Sequence, residues 1–211
     1  MSSSSHRDRP KRPATYDDLL AVPDHFVAEI VDGELHVSPR PALRHSRAAS
    51  SLGGILGPAF QFGNGGPGGW WILFEPEIHL RHDVVVPDLA GWRRERMPEI
   101  PETVWTDLPP DWLCEILSPS TSRLDRTGKL FVYGREKIPW VWLLDPIAQT
   151  LEVLELSDGR WTIAGLHSGS EIVHAPPFEA IPIDLTLLWG GIPGGRVAEP
   201  SAADSQTAPL R

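Results

Sequence analysis

Apolar residues in this chain fall into short runs whose spacing switches between two and about 3.6, the periods of strand and helix. Phe26–Val31 alternates, with Phe26, Ala28 and Ile30 on one face and Val27, Glu29 and Val31 on the other. Asp32-Gly33 is a hairpin turn pair, and Glu34–Val37 returns as the partner strand. Ahead of them, Thr15–Leu20 predicts a short helix capped by Thr15, with Asp17 and Asp18 near the positive end of its dipole and Pro23 as its stop. Between Pro41 and Phe62, Ala48, Leu52, Ile55, Leu56, Ala59 and Phe60 recur near helical spacing. Gly53, Gly54 and Gly57 weaken that helix in isolation, so close packing must hold it. Gly63–Gly69 reads as a connector, because it lacks the preceding strand and the GK[ST] ending of a phosphate-binding loop.

Trp70–Phe74 and Ile78–Leu80 are expected to pair with each other across a bend at Pro76. Val84–Trp92 reads as one strand with Val84, Val86, Asp88 and Ala90 on a common face, and Pro87 marks a bulge or strand edge. Arg93–Pro110 is a long, proline-rich loop of the kind that is often functional. Strand, turn, helix, strand then follow as Trp112–Leu117, Ser118–Ser122, Arg123–Lys137 and Trp140–Leu144. Ser122 and Asp125 have capping-box spacing at the head of that helix. Leu151–Leu156 and Arg160–Ala164 form a second hairpin around Ser157-Asp158-Gly159, and Ile183–Trp189 is a short final element. There is no internal repeat. The pattern predicts an α/β (α+β, mixed-sheet) domain over residues 14–189 with β-hairpins towards both ends, between disordered tails at 1–13 and 190–211.

Composition narrows the function classes. No apolar run approaches the ~20 residues of a membrane span, and the Ser-rich, basic N-terminus has no apolar segment of a secretion signal. A single cysteine, Cys114, excludes an internal disulfide framework and a cysteine-only zinc site. A cytoplasmic protein with Cys114 as a buried apolar residue is the expectation. The net charge is −9, and since the first twelve residues carry +3, the body is more acidic than the total suggests. Such a body does not bind nucleic acid through its overall field and would need a local basic patch. Arg123, Arg126, Lys129, Arg135 and Lys137, against Asp125 and Glu136, supply a candidate.

Two carboxylates stand out. Asp88 and Glu115 each interrupt an apolar strand-like run, and a carboxylate in a buried strand is costly unless paired or bound to a cation. Brought together they would make a hard oxygen site for Mg²⁺ or Mn²⁺. The alternative is that Asp88 caps a bend and Glu115 salt-bridges an arginine. Asp125, Lys129 and Tyr133 follow at i, i+4 and i+8, roughly one helical face, where Lys129 could orient and polarise a water beside the carboxylates. A solvated face fits that stripe equally well. Tyr133 is either a core aromatic with a partnered hydroxyl or a substrate-side group. His45, among Arg40, Arg44 and Arg47 at a helix start, is a candidate phosphate contact. No nucleophile elbow and no HExxH spacing is present.

Together, Val86-Pro87-Asp88, Cys114-Glu115-Ile116-Leu117-Ser118-Pro119-Ser120-Thr121, then Asp125, Lys129, Leu130 and Tyr133, and finally Ile138–Pro146 resemble the Uma2 family of restriction-endonuclease-like proteins. Glu29–Leu35 and His45-Ser46 extend the resemblance upstream, so that it covers roughly Thr15 to Trp189. It implies the PD-(D/E)xK nuclease fold, a central mixed sheet flanked by helices, and a metal-dependent endonuclease acting on DNA. Asp88 and Glu115 would bind Mg²⁺ or Mn²⁺ with the Ile116 carbonyl, and Glu29 would assist directly or through water. The lysine expected two residues after Glu115 is replaced by Leu117, and Lys129 on the following helix takes its place, positioning or deprotonating the attacking water. His45 would be a phosphate or outer-shell group, and by analogy the active form would be a homodimer. Two other functions compete: a nuclease-fold protein that binds nucleic acid or assembles without useful cleavage, and, more remotely, a two-carboxylate glycosidase working without metal.

Overall fold

The fold comes from a computed structural model that describes residues 12–191. Nearly all of the expected tails at 1–13 and 190–211 lies outside those residues. Helix α1 (Tyr16–Leu20) leads into the hairpin β1 (Phe26–Val31) and β2 (Glu34–Pro39). Helix α2 (Leu43–Leu56) continues as a π-helical turn, Gly57–Gln61. Six strands follow: β3 (Trp70–Phe74), β4 (Glu77–Leu80), β5 (Asp83–Val85), β6 (Leu89–Arg93), β7 (Trp105–Thr106) and β8 (Trp112–Ile116). The next helix is composite: α3 (Ser122–Leu124), a π-helical segment Asp125–Lys129, and α4 (Leu130–Arg135). It leads to β9 (Trp140–Asp145), the hairpin β10 (Thr150–Ser157) and β11 (Arg160–Ser168), β12 (Ile172–Val173), β13 (Ile183–Asp184) and α5 (Thr186–Trp189). No helix among the described residues is long and apolar enough to cross a membrane.

Among the described residues two mixed sheets result, ordered β2-β1-β5-β4-β7 and β11-β10-β9-β8-β6-β3, with parallel pairs only at β4–β7 and β8–β9, beside a small antiparallel pair β12-β13. The expected ladder between Trp70–Phe74 and Ile78–Leu80 does not form. Both belong to one arm of a long hairpin whose other arm is Asp83–Arg93. Its outer half pairs β4 with β5 in the first sheet, and its inner half pairs β3 with β6 in the second. The hairpin changes sheet where its ladder is broken, at Glu75-Pro76 on one arm and Val86–Asp88 on the other. Pro76 and Pro87 have no N–H for the ladder, and Glu75 takes a positive φ of 45°. The break also resets side-chain parity: Val84 packs with Leu19 and Ile30, Ala90 with Trp92 and Leu113, so these residues share no face as an unbroken strand would require.

Alternation along β8 and β9 divides the main core between the two faces of the six-stranded sheet. Trp112, Cys114, Ile116, Trp142 and Leu144 face α2; Leu113, Val141 and Leu143 face α4. Cys114 is buried as expected. On the α2 side, the Phe178 ring contacts Phe60, Trp70, Trp112 and Trp142 with centroids 4.6, 5.0, 4.9 and 5.7 Å away. Phe178→Ala should therefore cost about 3–5 kcal/mol of unfolding free energy, read from urea denaturation. Gly53 explains how the glycine-rich α2 is held. A Cβ there would lie 2.0 Å from Phe74 Cζ, so only glycine lets that ring seat on the helix.

Candidate active site

The hairpin break, the end of β8 and the composite helix meet around one cavity of about 250 Å³, whose lining includes Glu29, His45, Asp88, Glu115, Ile116 and Lys129. Asp88 lies in the break just before β6. Its Oδ2 accepts the Ile116 N–H at 2.6 Å, a bond that ties the broken strand to the end of β8. Its Oδ1 lies 3.1 Å from His45 Nε2, presented by the first turn of α2. Glu29, on β1, accepts the Val86 N–H at 2.7 Å, supplying an acceptor where the ladder is interrupted.

Glu115 points from β8 towards the helix and is buried. Lys129 Nζ lies 2.9 Å from Glu115 Oε1, 2.9 Å from Glu29 Oε1 and 3.5 Å from Asp125 Oδ1. The Tyr133 hydroxyl donates to Glu115 Oε1 in a short contact. The stripe Asp125, Lys129 and Tyr133 thus faces inward. Asp125 is 3 % exposed and directed at Lys129, not capping Ser122; the helix instead opens at Thr121 with no side-chain cap. Lys129 and Asp125 lie in the π-helical segment, whose wider turn is frequent at functional sites. Gly128 lets that segment approach β1, since a Cβ there would come within 3.1 Å of Val31 Cγ1 and Leu124 Cδ1.

Burial pushes the Glu115 carboxyl well above its ordinary range; Lys129 opposes the shift and Asp125, Asp88 and Glu29 reinforce it. Burial would lower the Lys129 pKa, but Glu115, Glu29, Tyr133 and Asp125 outweigh it and raise it well above normal, so the ammonium stays charged. Burial and Glu115 push the Tyr133 phenol up, and it remains a donor. Tyr133 is fully buried behind Glu115 and does not line the cavity. The expectation of a substrate contact from it is therefore corrected to support of Glu115.

Of the five basic residues in the candidate patch on the helix, three are paired or buried on folding, while Arg123 and Lys137 stay exposed. Arg126 pairs with Glu152, Arg135 with Asp83 and Glu136, and Lys129 is buried among carboxylates. Asp83 was not visible as a site-shaping residue in the sequence. It is fully buried, accepts the Asp32 N–H at 2.7 Å and holds Arg135, locking the β1–β2 turn to α4. That clamp ties the hairpin that carries Glu29 to the composite helix that carries Lys129.

Among the described residues, no three His, Cys, Asp or Glu side chains stand close enough to hold an ion by themselves. The donors nonetheless suit a hard cation. Asp88, Glu115 and Ile116 all line the cavity, and Mg²⁺ uses one or two carboxylates with water and substrate oxygens completing its shell. Three carboxylates, Glu29, Glu115 and Asp125, surround the one ammonium of Lys129, and Asp88 lies against His45 on the same cavity, a clustering of acidic groups that suits a cation.

A broken antiparallel hairpin shared between two mixed sheets, a parallel β8–β9 pair and flanking helices make this a restriction-endonuclease-like fold. The chain belongs to the Uma2 family, described as "putative restriction endonuclease", whose model matches residues 13–187. Among solved structures it resembles a "putative nuclease belonging to DUF820" from Anabaena variabilis, with a TM-score of 0.69 and 21% identity over 84% of this chain and 98% of that one. Among curated proteins, none matches the chain.

Proposed function

We propose that the protein is a Mg²⁺- or Mn²⁺-dependent endonuclease that hydrolyses phosphodiester bonds of DNA. The observation that carries this function is the Lys129 ammonium, 2.9 Å from both Glu29 and Glu115 although Leu117 occupies the usual lysine position. A helix-borne lysine thus reaches the carboxylate end of β8 from the following element. Asp88, Glu115 and the Ile116 carbonyl would hold the cation, which when bound supplies charge neutralisation at the phosphate and lowers the pKa of its water. Lys129, kept protonated by its carboxylate neighbours, serves as a hydrogen-bond donor that orients the attacking water and steadies developing negative charge, not as the base. Glu29 holds Nζ from the β1 side. Tyr133 fixes the Glu115 rotamer, and the backbone bond from Ile116 fixes Asp88. His45 stands against Asp88 at the cavity wall.

One observation favours the competing function, a nuclease fold that binds nucleic acid or assembles without cutting: all three Nζ contacts of Lys129 go to carboxylates, which leaves the ammonium occupied. Supercoiled and linear DNA incubated with protein and Mg²⁺ or Mn²⁺ separates the two. Nicked or linearised product that disappears with EDTA is expected, and restoring the metal should restore the activity. No cleavage of any DNA or RNA, together with no metal binding by calorimetry, would favour the non-catalytic function. Metal-independent cleavage would remove the cation from the scheme. We also infer a single domain over residues 14–189 working as a homodimer, which sedimentation of the intact chain would test.

A further inference from the structure

We infer that His45 is a direct nitrogen ligand of the metal centre, so that the cation sits between α2 and the hairpin break and not on oxygen donors alone. This rests on the metal site proposed for Asp88 and Glu115. His45 Nε2 lies 3.1 Å from Asp88 Oδ1, the oxygen left over once Oδ2 has accepted the Ile116 N–H. The ring therefore stands against Asp88 Oδ1, an oxygen that a cation bound here would use, and lines the same cavity as Ile116.

The ring is also free to serve as a ligand. Nδ1 is buried and has no hydrogen-bond partner among the described residues, so no second bond locks its orientation. Turning Nε2 towards an ion on Asp88 breaks one contact only, and the ring then binds as neutral imidazole. The resulting set would be one carboxylate oxygen, one backbone carbonyl and one imidazole, brought together by the turn of the ring, since the side chains do not stand close enough as they are among the described residues. Glu115 Oε2, which takes no hydrogen bond among the described residues, adds a further oxygen. Nitrogen in the set shifts preference from Mg²⁺ towards Mn²⁺ and other transition ions, which imidazole suits.

The test is electron spin-echo spectroscopy of the full chain with one equivalent of Mn²⁺. Directly bound imidazole should give ¹⁴N modulation, and protein labelled with [¹⁵N]histidine should replace it with the ¹⁵N pattern. His45→Gln should bind Mn²⁺ about tenfold more weakly and lose the nitrogen signal. Bound Mn²⁺ without nitrogen modulation in the wild type, or modulation that persists in a folded His45→Gln, overturns the assignment and leaves the carboxylate site standing. If the variant does not fold, the labelled wild-type protein still decides whether histidine is bound. Mn²⁺ that stays entirely as the free aqua ion with wild-type protein overturns both the ligand and the metal site itself.

Discussion

Asp88→Asn should leave the fold intact and lower metal-dependent DNA cleavage by about 10³-fold, the scale of losing one charge-stabilising group from a preorganised site. The substitution keeps size and shape, and the amide oxygen can still accept the Ile116 N–H that Asp88 Oδ2 accepts at 2.6 Å. The hairpin break should therefore remain tied to β8, with stability within about 1 kcal/mol of wild type. What the substitution removes is the charge at Oδ1, which faces His45 and the cavity. Single-turnover cleavage of a labelled duplex, alongside a urea melt, reads both effects. Wild-type cleavage from a folded Asp88→Asn would remove Asp88 from the site. A large loss of stability would make it a structural bend residue, the simpler role its sequence position also suggested.

Some of this site could be read from local pattern. Glu115 stood out because a carboxylate in the run Trp112–Leu117 needs a partner, and the partner proved to be Lys129, one helical stretch later. The Asp125, Lys129, Tyr133 spacing put three polar groups on one face; that the face turns inward was decided by β8 and β1, which carry the groups it meets. Hairpins with Asp-Gly turns were legible because their register is local. What could not be read is long-range pairing. Period-two alternation says which side chains point the same way, but not which strand lies beside them, so the Trp70–Leu80 arm was folded on itself instead of against Asp83–Arg93. His45 to Asp88, Glu29 to Val86 and Asp83 to Arg135 join residues 43, 57 and 52 positions apart. No local periodicity carries those distances. The basic stripe on the helix was thinned for the same reason: Glu152, which neutralises Arg126, comes from β10.

Lys129→Met should abolish most cleavage, by about 10²–10³-fold, and should also destabilise the protein in a pH-dependent way. Methionine fills similar space but leaves Glu29, Glu115 and Asp125 facing each other without the ammonium that lies 2.9, 2.9 and 3.5 Å from them. Breaking a buried ion cluster by removing one partner costs about 3–5 kcal/mol. Burial already raises Glu115 and Asp125, and Lys129 is what pulls each back down, so in the variant their folded pKa values rise further. The folded variant then holds protons that the unfolded chain has released. Its stability falls as pH rises through the window from the unfolded carboxyl range, about 4, up to the raised folded values. Each such proton contributes a slope of at most about 1.4 kcal/mol per pH unit. Because wild-type Glu115 and Asp125 are themselves raised, the gap between wild type and Lys129→Met should widen with rising pH once the wild type has released these protons and the variant has not, measured as urea unfolding free energy across the stable pH range. A gap that is flat or narrows with rising pH would mean the carboxylates are balanced by something other than Lys129. In that case, lost cleavage in the variant could no longer be assigned to a lysine that orients water beside them.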